Sequence, residues 1–265
     1  MRIVVPMKAV PDLVEEIEIT ADGTGIDREY LKFVLNEWDD QALEEALLVK
    51  EATGAEVVAL GLGSDPDIDA SLYTAIAKGA DRAVRLTGAG EVPDTATRAR
   101  AVAGYLRDHP ADLVITGVQA PDDLDGQLPA TLGALLGHPH VSVVVSVALV
   151  TDPPEPPAVR VRQEFAGGRA AELVVDLPAV IGLQAARQAP RYAPISRIRQ
   201  VMAAGGIEQV DPGLAPGSAT GASGLAVRRM HAPEKTSHAQ MLTGSADEVA
   251  GQIVDLLRSR GLVKG

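Results

Sequence analysis

The chain contains no cysteine, which excludes disulfides, thiolate nucleophiles and any iron–sulfur or zinc–thiolate site built by this chain alone. Aromatic residues are nearly as scarce, at 3% of the sequence with one Trp and two Phe, too few for aromatic cages or base-stacking platforms. Cations are outnumbered: 24 Lys and Arg face 36 Asp and Glu, a net charge of −12. That balance argues against nucleic acid as a partner, because phosphate-backbone binding is driven by clustered Lys and Arg. Long apolar runs are also missing. Hydrophobic residues are 46% of the chain, yet no stretch approaches the roughly 20 unbroken apolar residues that cross a bilayer, so no membrane insertion is expected. The opening MRIVVPMKAV has no apolar h-region followed by a small-residue cleavage site. No export signal is expected, and the cytoplasm is the expected compartment.

What is present is an α/β pattern. Short runs rich in Val and Ile alternate with segments of helical periodicity, as a buried parallel sheet requires. Strands are predicted over 2–7, 56–62, 83–86 and 112–116. Helices are predicted from near Trp38, over 67–78 closed by Gly79, and over 95–107. In the first helix Ala42, Leu43, Ala46 and Leu47 form one face, and Glu44, Glu45 and Lys50 the other. Residues 141–150 lead to Pro153, Pro154, Pro156 and Pro157, a stiff surface turn. The runs 159–165 and 170–175 flank Ala166, Gly167 and Gly168 as an antiparallel hairpin, and 178–184 returns to the sheet. Beyond Gln184 the chain reads as an arm, with a short helix over 195–203, a Gly/Ser/Ala/Pro-rich linker over 212–224 and a final amphipathic helix. That helix is capped by Ser245 or Thr243, with Val249, Ile253, Leu256 and Leu257 on one face. The expected fold is a doubly wound, mostly parallel α/β sheet with a β-hairpin and an extended C-terminal arm. Its division is a nucleotide-binding domain over 1–184 and an arm over 185–265.

The segment Gly117, Val118, Gln119, Ala120, Pro121, Asp122, Asp123, Leu124, Asp125, Gly126 and Gln127 lies between a predicted strand and a helix starting near Leu128. Open α/β sheets bind ligands at such a position. Glycines let the backbone approach a phosphate, and a helix N-terminus supplies unpaired amides. The plain alternative is an acidic loop that only caps the helix. Asp122, Asp123 and Asp125 also suit a hard cation, but the rest of an EF-hand is missing, and no metal is expected. Asn36, Glu37, Trp38 and Asp39 lead into the first long helix, where Asn36 and Asp39 either reach a nucleotide or merely cap. Gly61, Leu62, Gly63 and Ser64 end the second strand and serve a ligand or a tight turn. Neither of the two longer segments carries Lys or Arg, so backbone amides are expected to hold any phosphate. The histidines, His109, His138, His140, His231 and His238, lack metal-ligand spacing, and no serine sits in a nucleophile elbow. No P-loop is present, so an ATP-dependent ligase or hydrolase has no support and no catalytic residue is expected.

Taken in order, several of these elements resemble the electron transfer flavoprotein β subunit family along nearly the whole chain. The resemblance rests on Val10-Pro11-Asp12, the run NEWDDQALEEA from Asn36 to Ala46, Ala80-Asp81-Arg82, Gly117 to Gln127, Leu177-Pro178-Ala179-Val180 and Pro190-Arg191-Tyr192. It implies a non-enzymatic electron carrier whose sheet domain holds AMP structurally. An FAD is shared with an α subunit in a heterodimer, and an arm wraps that partner. Electrons would come from acyl-CoA or other flavin dehydrogenases and leave to a membrane quinone oxidoreductase or another acceptor. Carried over residue by residue, the nucleotide contacts are Pro6, Asn36 to Asp39, Leu62 and Gly117 to Leu128. Arg191, Tyr192, Ile195 and Ile198 fall on the partner-recognition segment, with Ile195 as the aliphatic anchor. Two departures stand out: Ala203-Ala204-Gly205-Gly206 replaces a lysine cluster common in the family, and Leu13 replaces an aromatic that some relatives place near the flavin. Asp94-Thr95-Ala96-Thr97 resembles a stretch in electron-bifurcating members that bind a second FAD where others bind AMP, although an N-capped helix explains it equally. A stand-alone adenine-nucleotide module similar to universal stress proteins is the other reading, but it needs no extension beyond Gln184.

Overall fold

A computed structural model describes residues 1–63, 66–87, 94–123, 126–150, 157–213, 227–233 and 241–263. Ser64, Leu124, Asp125, prolines 153, 154 and 156, and most of the 212–224 linker lie outside the described residues. The elements in chain order are β1 (Arg2–Met7), β2 (Ala9–Pro11), β3 (Phe33–Leu35), α1 (Glu37–Thr53), β4 (Glu56–Leu62), α2 (Pro66–Lys78), β5 (Arg82–Leu86) and α3 (Thr95–Asp108). After these come β6 (Leu113–Gly117), α4 (Leu128–Leu136), β7 (His140–Leu149), β8 (Ala158–Phe165), β9 (Arg169–Asp176), β10 (Ala179–Leu183), α5 (Ile195–Ala204), β11 (Ile207–Val210) and α6 (Ala246–Ser259).

Nine strands form one sheet in the order β11-β5-β4-β1-β6-β10-β7-β8-β9. From β11 to β7 every pairing is parallel, and β8 and β9 add the antiparallel hairpin. Strand periodicity sends alternate side chains to opposite faces. Ile3, Val5 and Met7 of β1 accordingly join α1 and α2 residues such as Leu43, Leu47 and Leu72 in one core. Val4 points the other way, into a second core with Val102, Tyr105 and Leu106 of α3 and Leu132 of α4. Burying each such side chain contributes about 1.5–3 kcal/mol, so both faces of the sheet are stabilised by apolar packing.

Three features differ from the sequence reading. Glu44 and Glu45, assigned to the polar face of α1, are 3% and 0% exposed, because the chain after β10 crosses that face. Residues 207–210 form an edge strand beside β5, a run too short and polar to stand out as a strand. Ala9–Pro11 and Phe33–Leu35 pair as a small antiparallel ladder at the base of the 12–32 excursion. The final helix is capped by Ser245 in a capping box with Glu248. Its apolar face forms as periodicity predicts, but none of its residues is buried.

Candidate functional site

From β1 the chain builds outward through β4 to β5, then returns to the opposite side of β1 with β6, β10 and β7. The order therefore reverses between β1 and β6, and the crevice outside their carboxyl ends is where an open sheet receives a ligand. A cleft lies there. Pro6 at the end of β1 and Leu62 at the end of β4 supply two walls, and Asn36 and Asp39 enter from the start of α1. Gly117, Gln119, Asp123 and Leu128 line it from the β6–α4 connection. The other described residues named from sequence do not line it. Glu37, Pro121 and Gln127 are exposed, Ala120 is buried, and Val118 donates its amide to Leu183 O at 3.0 Å. Trp38 underlies Gly117, Gly126 adopts a left-handed φ of 57° before α4, and Asp122 reaches the site only through its charge partners.

Asn36 begins α1 but makes no capping bond with its side chain. Its Nδ2 instead donates to Gln119 O at 3.0 Å, tying α1 to the loop after β6. Its Oδ1 is buried with no hydrogen-bond partner among the described residues, although such an orphaned acceptor costs stability. Asp39 likewise does not cap: Oδ2 accepts from Lys8 N at 3.0 Å and Oδ1 from Gly117 N at 3.2 Å. Simple capping is thereby set aside for both. Burial pushes the Asp39 carboxyl up to about 7, against the opposing pull of Lys8 and of the hydrogen bonds it accepts. Gly117 is required by space. A Cβ there would lie 2.5 Å from Asp39 Oδ1 and 2.9 Å from the Trp38 carbonyl carbon.

Two lining residues, Lys8 and Arg98, escaped the sequence reading, and a third, Thr95, comes from the stretch that resembles bifurcating members. The expectation that no side-chain cation serves this site is corrected, since Lys8 follows β1 and Arg98 comes from the first turn of α3, both far in sequence from the Gly117 segment. Lys8 Nζ donates to Asp122 Oδ1 at 2.6 Å and to Asp123 Oδ1 at 2.8 Å. Arg98 meets the same pair at 3.3 Å and 2.6 Å. The aspartates thus have cationic partners within the protein, and among the described residues no acidic or histidine group could hold a metal. Asp94 caps α3, accepting from Thr97 N at 2.9 Å and Thr97 Oγ1 at 2.8 Å.

On another part of the surface, Tyr192 and Ile195 are 77% and 59% exposed at the start of α5, and Ile198 is half-buried. Arg191, named with them as a partner contact, is engaged internally with Glu44 and Glu51.

Comparison with known proteins agrees with this architecture. Residues 24–213 match the electron transfer flavoprotein domain model. The chain is 36% identical to an electron transfer flavoprotein subunit beta of Methylophilus methylotrophus, over 97% of this chain and 98% of that protein. It is 35% identical to a mitochondrial subunit beta of Arabidopsis thaliana, over 75% of this chain and 77% of the relative. It is 33% identical to a subunit beta of Clostridium acetobutylicum, over 75% and 74%.

Proposed function

The chain belongs to the electron transfer flavoprotein family, as a β-subunit type electron-transfer protein, and from that premise we propose that it pairs with an α subunit and holds AMP in the cleft between β1 and β6. The observation that carries the nucleotide assignment is the Asn36 Oδ1, a buried acceptor without a partner on the cleft wall. An exocyclic amine or ribose hydroxyl would supply its missing donor. Lys8 and Arg98 suit a phosphate, and the Gly117 backbone admits close approach. Asp39 holds the Lys8 and Gly117 amides in place. FAD, when bound with the α subunit, supplies the redox chemistry. This chain's part is to shape the nucleotide cleft and present docking side chains, with Leu13 and Val14, 64% and 93% exposed, offering aliphatic contact.

Donors of the acyl-CoA or other flavin dehydrogenase type, and a membrane quinone oxidoreductase as acceptor, complete the proposal, with the cytoplasm as the compartment. Among the described residues no helix is long and apolar enough to cross a membrane. The test is to express the chain alone and with its α subunit, denature the purified products and quantify released nucleotides by chromatography. FAD and AMP in equal amounts from the heterodimer, and no FAD from the chain alone, are expected. Thr95 lies in the stretch similar to bifurcating members and lines the cleft, so two FAD without AMP would assign that class instead. No adenine nucleotide beyond one FAD would overturn the site.

Ile195 is the proposed anchor for a dehydrogenase. Truncating a buried interface anchor costs on the order of 2 kcal/mol, so Ile195→Ala is expected to weaken docking roughly thirtyfold with flavin content intact. Transfer rates measured against dehydrogenase concentration check this, and an unchanged half-saturation concentration would remove Ile195 from that role.

A further inference from the structure

Residues 184–194 connect β10 to α5 without regular structure, so their backbone amides need partners from elsewhere. The side chains of α1 supply them. Ala186 N donates to Gln41 Oε1 at 2.9 Å, Arg187 N to Glu45 Oε2 at 3.1 Å, and Arg191 N to Glu44 Oε2 at 2.9 Å. Two of these residues bind a second time through their side chains. Arg187 Nε donates to Glu45 Oε1 at 2.8 Å. Arg191 grips Glu44 with two prongs, Nε to Oε2 and Nη2 to Oε1, each at 2.9 Å, and its Nη1 reaches Glu51 at 2.6 Å. Glu45 Oε1 also accepts from Val147 N at 2.6 Å, fastening α1 to β7.

Carboxylates this deeply buried are tolerated only when paired and hydrogen-bonded. Burial raises the Glu44 carboxyl, but the Arg191 hydrogen bonds outweigh it and hold the group below its ordinary value. Two such pairs lie on one short connection, and that connection leads into α5, which has no buried residue and packs against α2. The N-terminal end of α5 is therefore set by the grip on α1, while its body rests on α2 and its C-terminal end leads into β11.

We propose that Glu44 and Glu45 are positioning residues for docking: through Arg191 and Arg187 they fix the segment from which Tyr192 and Ile195 project. Arg191 then acts inside the subunit, not across the interface. The inference rests on the docking reading given above. Pre-arranging a loop lowers the ordering cost of binding, so loosening it raises the concentration of partner needed while leaving transfer within the complex unchanged.

The test uses the heterodimer carrying Glu44→Gln, Glu45→Gln, Arg191→Ala or Arg191→Lys. Electron transfer from an acyl-CoA dehydrogenase charged with its acyl-CoA is measured alongside amide hydrogen exchange. Expected are about tenfold faster exchange at 186–191, with β1, β4 and β6 unchanged, and a KM for the dehydrogenase raised about tenfold at constant kcat and FAD content. Arg191→Lys keeps the charge without the two-pronged geometry and is expected to recover part of the loss. It also serves if the glutamine variants fail to assemble. Unchanged exchange at 186–191 overturns the inference, as does unchanged KM in variants whose segment exchanges faster. A wild-type complex that takes no electrons from the dehydrogenase overturns the docking reading, and the inference with it.

Discussion

Gly117→Val is expected to abolish the AMP binding proposed for the purified heterodimer and to destabilise the subunit by about 3 kcal/mol, the upper part of the usual range for overpacking a closed site. The first atom added at Gly117 already meets Asp39 Oδ1 at 2.5 Å and Trp38 Cβ at 2.8 Å. Neither neighbour can retreat cheaply. Asp39 is tied to two backbone amides, and Trp38 sits in the first turn of α1. Moving them drags the helix start, and with it Asn36, away from the cleft. Asp122→Asn provides the contrast, with a small effect expected, because Asp123 still holds both Lys8 and Arg98. Nucleotide content and the urea midpoint of the two variants measure the difference. Full nucleotide retention in Gly117→Val would show that the cleft does not depend on the close approach of α1 to β6.

The second large effect concerns pH. The folded state raises Asp39 from 3.8 to about 7, so the fold favours the protonated carboxyl more than the unfolded chain does. The resulting stability is fully present below about pH 4 and is lost as pH rises through 7. Asn does not titrate, but its amide nitrogen cannot accept the second of the two backbone N–H bonds that the Asp39 oxygens receive. Asp39→Asn should therefore be less stable than the wild type near pH 4, by the cost of one buried backbone N–H left without its acceptor. Between pH 4 and pH 8 the wild type should lose on the order of 4 kcal/mol relative to the variant, at about 1.4 kcal/mol per pKa unit. Melting midpoints of both proteins from pH 4 to 8 give the comparison directly. A constant difference across that range would mean that Asp39 stays ionised in the fold. Subtraction matters here because Glu44 and Asp81 are shifted downward and contribute stability in the opposite direction, lost as pH falls.

Most of the sheet was legible because β1, β4, β6 and β10 are buried on both faces, and nearly every residue in them is apolar. Helix boundaries followed from periodicity and caps, as at Ser245 and Gly79. The edge strand β11 was not legible: residues 207–210 read IEQV, half polar, and only their pairing with β5 makes them a strand. The cleft was partly legible. The glycine-bearing connection after β6 and the start of α1 announce themselves by position at strand ends. Lys8 and Arg98 do not, since nothing local distinguishes them from solvated cations, and they converge only because β1 and α3 end and begin at one edge of the sheet. Glu44 and Glu45 misled for the same reason. A carboxylate on a helix reads as solvent-facing until a distant segment covers it.

The two cations and two aspartates at the cleft have a kinetic side. Their formal charges cancel, so on the proposed AMP assignment a chain of net charge −12 would repel an incoming phosphate at long range. On the AMP assignment proposed above, entry would proceed by exchange, the phosphate taking Lys8 and Arg98 from Asp122 and Asp123. Ionic strength would weaken the bonds broken and the bonds made alike, so retention is expected to depend little on salt. Capture and release are then both expected to be slow, because each requires Lys8 and Arg98 to change anionic partners. A nucleotide held in this way would travel with the protein as a built-in part rather than as a ligand in rapid equilibrium with its cellular pool.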